Sequence, residues 1–99
     1  MSIAETMAED RRLIILRALN EASGMTLNET ILKMTVNHFG HNQGRDVVRG
    51  DLEWLEAQRL VRLEKMQTAG GDFWVAYLTN DGDEVALGRR HTGVARRPI

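Results

Sequence analysis

Ninety-nine residues allow one domain with a single small core. Thirteen Lys and Arg against fourteen Asp and Glu give a formal net charge of −1, which excludes an indiscriminate polycationic binder. The absence of cysteine excludes disulfides, thiolate nucleophiles and thiolate metal sites.

The first helix is expected over about Ile3 to Ala22. Ile3, Met7, Ile14 and Ala18 share one stripe at 100° per residue, while Leu13, Leu16 and Leu19 fall on another side. A helix apolar on two sides leaves two outcomes open: the chain's own later elements cover the second face, or a second copy does, as a homodimer through helix one. Acids at Glu5, Glu9 and Asp10, and an apolar run of only Leu13 to Leu16, do not match a signal peptide or a membrane span, so the cytoplasm is the expected location.

Ser23-Gly24 ends that helix, and Met25-Thr26-Leu27 reads as a short extended piece. Asn28 is a good N-cap, with Leu27 and Leu32 spaced as a hydrophobic staple. Ile31, Leu32, Val36 and Phe39 are the expected core face of helix two, which Gly40 stops. The turn His41-Asn42-Gln43-Gly44 leads into helix three, about Arg45 to Arg59, with Val48, Leu52 and Leu55 inward and Val47 and Trp54 on an adjacent edge. Asp46, Arg49, Gly50, Glu53 and Ala57 occupy the opposite side.

Val61 and Leu63 alternate with Arg62 and Glu64 in a first strand. A turn on Gly70-Gly71 follows, then a second strand, Phe73 to Leu78. That strand is apolar on both faces, so alternation leaves its inward set open between Trp74, Ala76, Leu78 and Phe73, Val75, Tyr77. Thr79 caps a short last helix to about Gly88, with Asp81, Asp83 and Glu84 near its positive end. Residues 1–90 thus form one domain, with 91–99 a loose basic tail. Arg89, Arg90, Arg96 and Arg97 all fall in the last eleven residues, where there is no acid, which leaves nine bases against fourteen acids in the body.

Three helices, a hairpin and a short last helix, in this order, make an α+β, mostly α chain with the layout of a winged helix-turn-helix. The segments RGDLEWLEAQRLV and FWVAYLTNDG resemble the last helix and wing of regulators of the arsenic-repressor and multidrug-repressor type. More narrowly, AEDRRLIILRALNEA, LNETIL, FGH, VRGDLEWL and LTNDGDEVALGR resemble a family of small prophage proteins from Mu-like phages, over about Ala8 to Pro98. The resemblance implies the winged-helix fold, and a place among phage late and packaging genes. Cys-based metal sensing is not implied, since no Cys is present.

Groove reading requires donors that match base edges. Asn42, Gln43, Arg45 and Arg49 have the right chemistry at the start and on the outward side of helix three. Arg49 could equally pair with Glu53 one turn on. Lys65 on the wing, and Arg89, Arg90, Arg96 and Arg97, are candidates for phosphate, and the last helix's negative end is an alternative partner for Arg89 and Arg90. His38 and His41 straddle Gly40 without a third ligand, and no catalytic constellation assembles, so neither cofactor nor enzymatic activity is expected. The preferred function is that of a non-enzymatic duplex DNA-binding phage transcriptional regulator, and the alternative is a phage assembly or packaging adaptor that uses the same fold for protein contacts.

Overall fold

The computed structural model describes residues 2–96. Helix α1 (Ile3–Glu21) starts where the Ser2 hydroxyl accepts the Glu5 N–H. Its second half is buried over most of its circumference: Leu13, Ile14, Ile15, Leu16 and Leu19 are each at most 6% exposed, while Arg17 and Glu21 stay at the surface. It is the central helix, packed on α2 (Glu29–His38), α3 (Arg45–Ala57), α4 (Asn80–Ala86) and strand β3 (Gly71–Leu78). Its second apolar face is therefore covered from within the chain, and that face offers no surface to a second copy.

The chain leaves α1 through a 3-10 turn containing Gly24 at φ +75° and enters β1 (Thr26–Asn28). Asn28 caps α2 as its sequence position suggests, its side-chain oxygen accepting the Ile31 N–H at 2.9 Å. Leu32 and Val36 are fully buried, but Ile31 and Phe39, expected beside them, are 40% and 59% exposed. Ile31 lies about 100° round the helix from Leu32, and Phe39 is the C-cap, where the chain has left helical periodicity. Gly40, at φ +95°, then makes the left-handed turn that ends α2.

Strand β2 (Val61–Thr68) and β3 form the hairpin, with Val61 opposite Leu78 and Thr68 opposite Gly71; β1 pairs on the far side to give the antiparallel order β1-β3-β2. The inward set of β3 includes Trp74 and Ala76, which are buried where β3 packs on α1 and α2, so Phe73, Val75 and Tyr77 lie on the outer face. Thr79 caps α4 by accepting the Gly82 N–H. Gly82 sits so close to the connection between α3 and β2 that a Cβ there would lie 2.0 Å from the Leu60 carbonyl oxygen.

After α4 the chain turns back along α1. Ala95 N–H donates to Glu9 O at 3.1 Å, the Arg12 guanidinium donates to Gly93 O at 2.8 Å, and Val94 is buried. Residues 91–96 are thus docked rather than loose, because Val94 supplies an apolar anchor that a count of arginines does not reveal. Arg97 lies outside the described residues. The order α1-β1-α2-α3-β2-β3-α4 is the expected α+β, mostly helical arrangement and is compatible with a winged helix-turn-helix.

Candidate nucleic-acid interface

The start of α3 is held by a small polar clamp. Asn37 on α2 reads the backbone of Gln43 at both ends: its carbonyl oxygen accepts Gln43 N–H at 2.7 Å, and its amide donates to Gln43 O at 3.0 Å. His41, nearly buried, turns inward, with Nε2 2.6 Å from Asp10 Oδ2. Between these anchors Asn42 takes a left-handed φ of +36° and points outward. Arg45, the first residue of α3, is exposed as well, whereas Gln43 is half-buried.

Arg49 does not join them. Its guanidinium forms a fork with Glu29, Nε to Oε1 at 2.6 Å and Nη2 to Oε2 at 2.8 Å, and Nη2 donates further to Asp72 O at 3.0 Å. Glu29, only 1% exposed, also accepts the Trp74 N–H at 2.7 Å. The guanidinium stands 4.5 Å from the Trp74 ring centroid. Charge-assisted, bidentate geometry of this kind is strong and directional. The arginine's hydrogen bond holds the Glu29 carboxyl below its ordinary range against the opposing effect of burial, and Glu29 raises the Arg49 guanidinium in turn. The anticipated Arg49–Glu53 pair is absent because both groups have other partners: Lys65 Nζ is 3.5 Å from Glu53 and 4.3 Å from the Trp74 ring.

The two groups of β3 that meet this fork, Trp74 N–H and Asp72 O, face away from β2, on the edge where β1 would continue. β1 stops at Asn28, and Glu29 and Arg49 complete its ladder with side chains. On the opposite edge Glu56 accepts the Leu63 N–H at 2.9 Å. The wing is therefore tied to the helix pair on both sides.

A second fork joins α1 to α3: Arg11 Nε and Nη2 lie 2.6 and 3.1 Å from the carboxylate of Asp51, and both residues are buried. Arg11, Glu29, Asp51 and Asn37 were not among the residues singled out from the sequence. Of the remaining candidates, Arg89 lies beside Glu84 and Asp81 at the end of α4. Arg90 is exposed and lines an open groove with Glu5, Glu9 and Trp54, and Arg96 is exposed. Across that groove Arg12 stacks on Trp54 at 4.0 Å.

Among the described residues no helix is long and apolar enough to cross a membrane. No family model matches the chain. The protein gp26 of Escherichia phage Mu is 42% identical over 96 residues, covering 97% of this chain and 95% of gp26. A Haemophilus influenzae protein is 42% identical over 67 residues, covering 68% of this chain and 65% of that protein. Identity at this level across almost the full length of both molecules shows that the chain belongs to the Mu-like phage protein family of gp26.

Proposed function

We propose that this protein is a non-enzymatic adaptor in phage assembly or packaging, a winged helix that works through protein contacts in the host cytoplasm. The observation that supports this reading is the fork of Arg49 with Glu29, which engages the central outward arginine of α3 within the chain itself. Lys65 and Arg89 also have carboxylate neighbours, so the electrostatic footprint that duplex affinity requires is thin. The acidic balance of the body, nine bases against fourteen acids before residue 89, points the same way. Kinship with a phage Mu protein supports a role in the phage cycle.

The second reading is sequence-selective duplex DNA binding, as a transcriptional regulator of the arsenic-repressor type. It is favoured by the exposed Asn42 and Arg45 at the start of α3, where recognition helices carry their base-reading donors. In that reading Gln43 would read alongside them, and Arg90, Arg96 and Arg97 would supply phosphate contacts.

A salt titration of binding to random-sequence duplex separates the two. The adaptor gives no salt-dependent complex even at low ionic strength, and Asn42→Ala/Arg45→Ala changes nothing. A steep salt slope that flattens in the double variant would establish the DNA reading instead.

A further inference from the structure

We propose that the face shared by α1 and α2 joins two copies of this chain about a two-fold axis. Ile31 and Met34 of α2 and its C-cap residue Phe39 are 40%, 61% and 59% exposed. Single exposed apolar residues need no explanation, but Ile31 and Phe39 lie two turns apart on one side of the helix, with Thr35 between them, and together form an apolar stripe. Thr35, within this stripe, donates its hydroxyl to Ile31 O at 2.8 Å, so its polar group makes no demand on solvent. Beside it a cleft of about 240 Å³ opens between the helices, floored by Ile14 and Ala18 of α1 and walled by Thr35 and Phe39.

The charges at its rim identify the occupant. Arg17 and Glu21 stand one turn apart on α1, both exposed, and neither forms an ion pair among the described residues. Arginine preceding glutamate is the weaker order for pairing along one helix. The same two residues complement their own inversion: an antiparallel crossing of two α1 helices sets Arg17 of each copy against Glu21 of the other. Two-fold symmetry makes that pairing twice with one patch, and Ala18 near the crossing point allows close approach. This face is distinct from the Leu13, Leu16 and Leu19 side, which the chain covers itself. The inference stands whichever functional reading holds.

Sedimentation equilibrium on the full chain tests it. The expected species has twice the 11.2 kDa chain mass at micromolar concentration. Arg17→Glu and Glu21→Arg each weaken association by roughly tenfold or more, since each sets like charges against one another twice. Mixing those two variants restores a complex, because one chain then presents two acids at the crossing and the other two bases. Combining both changes in one chain, Arg17→Glu/Glu21→Arg, restores the homodimer as well. Phe39→Ser yields a folded monomer with the native circular dichroism, the residue being largely exposed, and its melting temperature no longer rises with protein concentration. A wild type that stays monomeric up to submillimolar concentration overturns the proposal and leaves the face to a different protein. A dimer indifferent to every one of these changes also overturns it, placing the contact elsewhere.

Discussion

Arg49 lies over the ring of Trp74 while its partner Glu29 accepts that same residue's backbone N–H, so one side chain of α3 and one of α2 grip the second wing strand from both sides of a single position. Removing either partner leaves a buried group without its complement. Glu29→Ala is expected to destabilise the fold by about 3–5 kcal/mol, measured by urea unfolding. Arg49→Lys, which keeps the charge but cannot make the fork and reach Asp72 as well, is expected to cost about 1–3 kcal/mol. A neutral outcome for both would show that the pair is peripheral to stability.

The same pair gives the protein an acid-sensitive component. Arg49 keeps the Glu29 carboxyl below its ordinary value of 4.5 in the folded state, so the stabilisation is fully present above that value. It is lost as the pH falls through the lower folded value. The difference in unfolding free energy between wild type and Glu29→Gln should therefore be constant near neutrality and shrink at acid pH. A difference that grows on acidification would contradict the assignment.

The Arg11–Asp51 fork makes a separate case, because the two buried groups satisfy each other across the α1–α3 contact. Asp51→Asn should destabilise by about 3 kcal/mol by leaving a buried guanidinium uncompensated. Arg11→Met/Asp51→Leu, apolar on both sides, should recover most of that loss. Chemical denaturation of the three chains checks the order, which fails if the double variant is the weakest.

Gly82→Ala is expected to be among the most damaging small substitutions in the chain. A methyl group placed 2.0 Å from the Leu60 carbonyl oxygen meets backbone, not a movable side chain, and forces α4 away from the loop that precedes β2. A loss of about 3 kcal/mol or more in unfolding free energy is anticipated. A wild-type melting temperature would show that α4 shifts at little energetic cost.

At Gly93 the expectation is local. Its φ of +91° and a Cβ position 2.5 Å from the Trp54 ring both disfavour alanine. Gly93→Ala should release residues 91–96 from α1 and speed tryptic cleavage after Arg90, with the core left folded. Unchanged cleavage kinetics would mean that the segment docks by Val94 alone.

Much of the architecture was legible because its signals are local. Asn28 and Thr79 cap helices, Gly40 stops one, and Val48, Leu52 and Leu55 keep a strict helical stripe. The site was less legible, since an outward-looking arginine and one drawn into a fork have the same spacing. A signal for the fork was nevertheless present. Glu29 falls on the stripe of Leu32 and Val36, and Asp51 on the stripe of Val48, Leu52 and Leu55. A carboxylate on a core stripe requires a buried cation, and Arg11 and Arg49 are the ones that answer. The inward face of β3 and the docking of Val94 could not be read, because both depend on which distant element lies over them.

The completion of β1's ladder by Glu29 and Arg49 has a mechanical consequence. A hairpin joined to its domain by backbone pairing alone can hinge where the pairing stops, after Asn28. Here that hinge point is bridged by two charged side chains rooted in different helices. Bending the wing would have to break a fork, two hydrogen bonds and a ring contact together. A load applied at the Gly70 turn therefore reaches α2 and α3 without slack, and whatever engages the wing tip engages the helix pair as one stiff body.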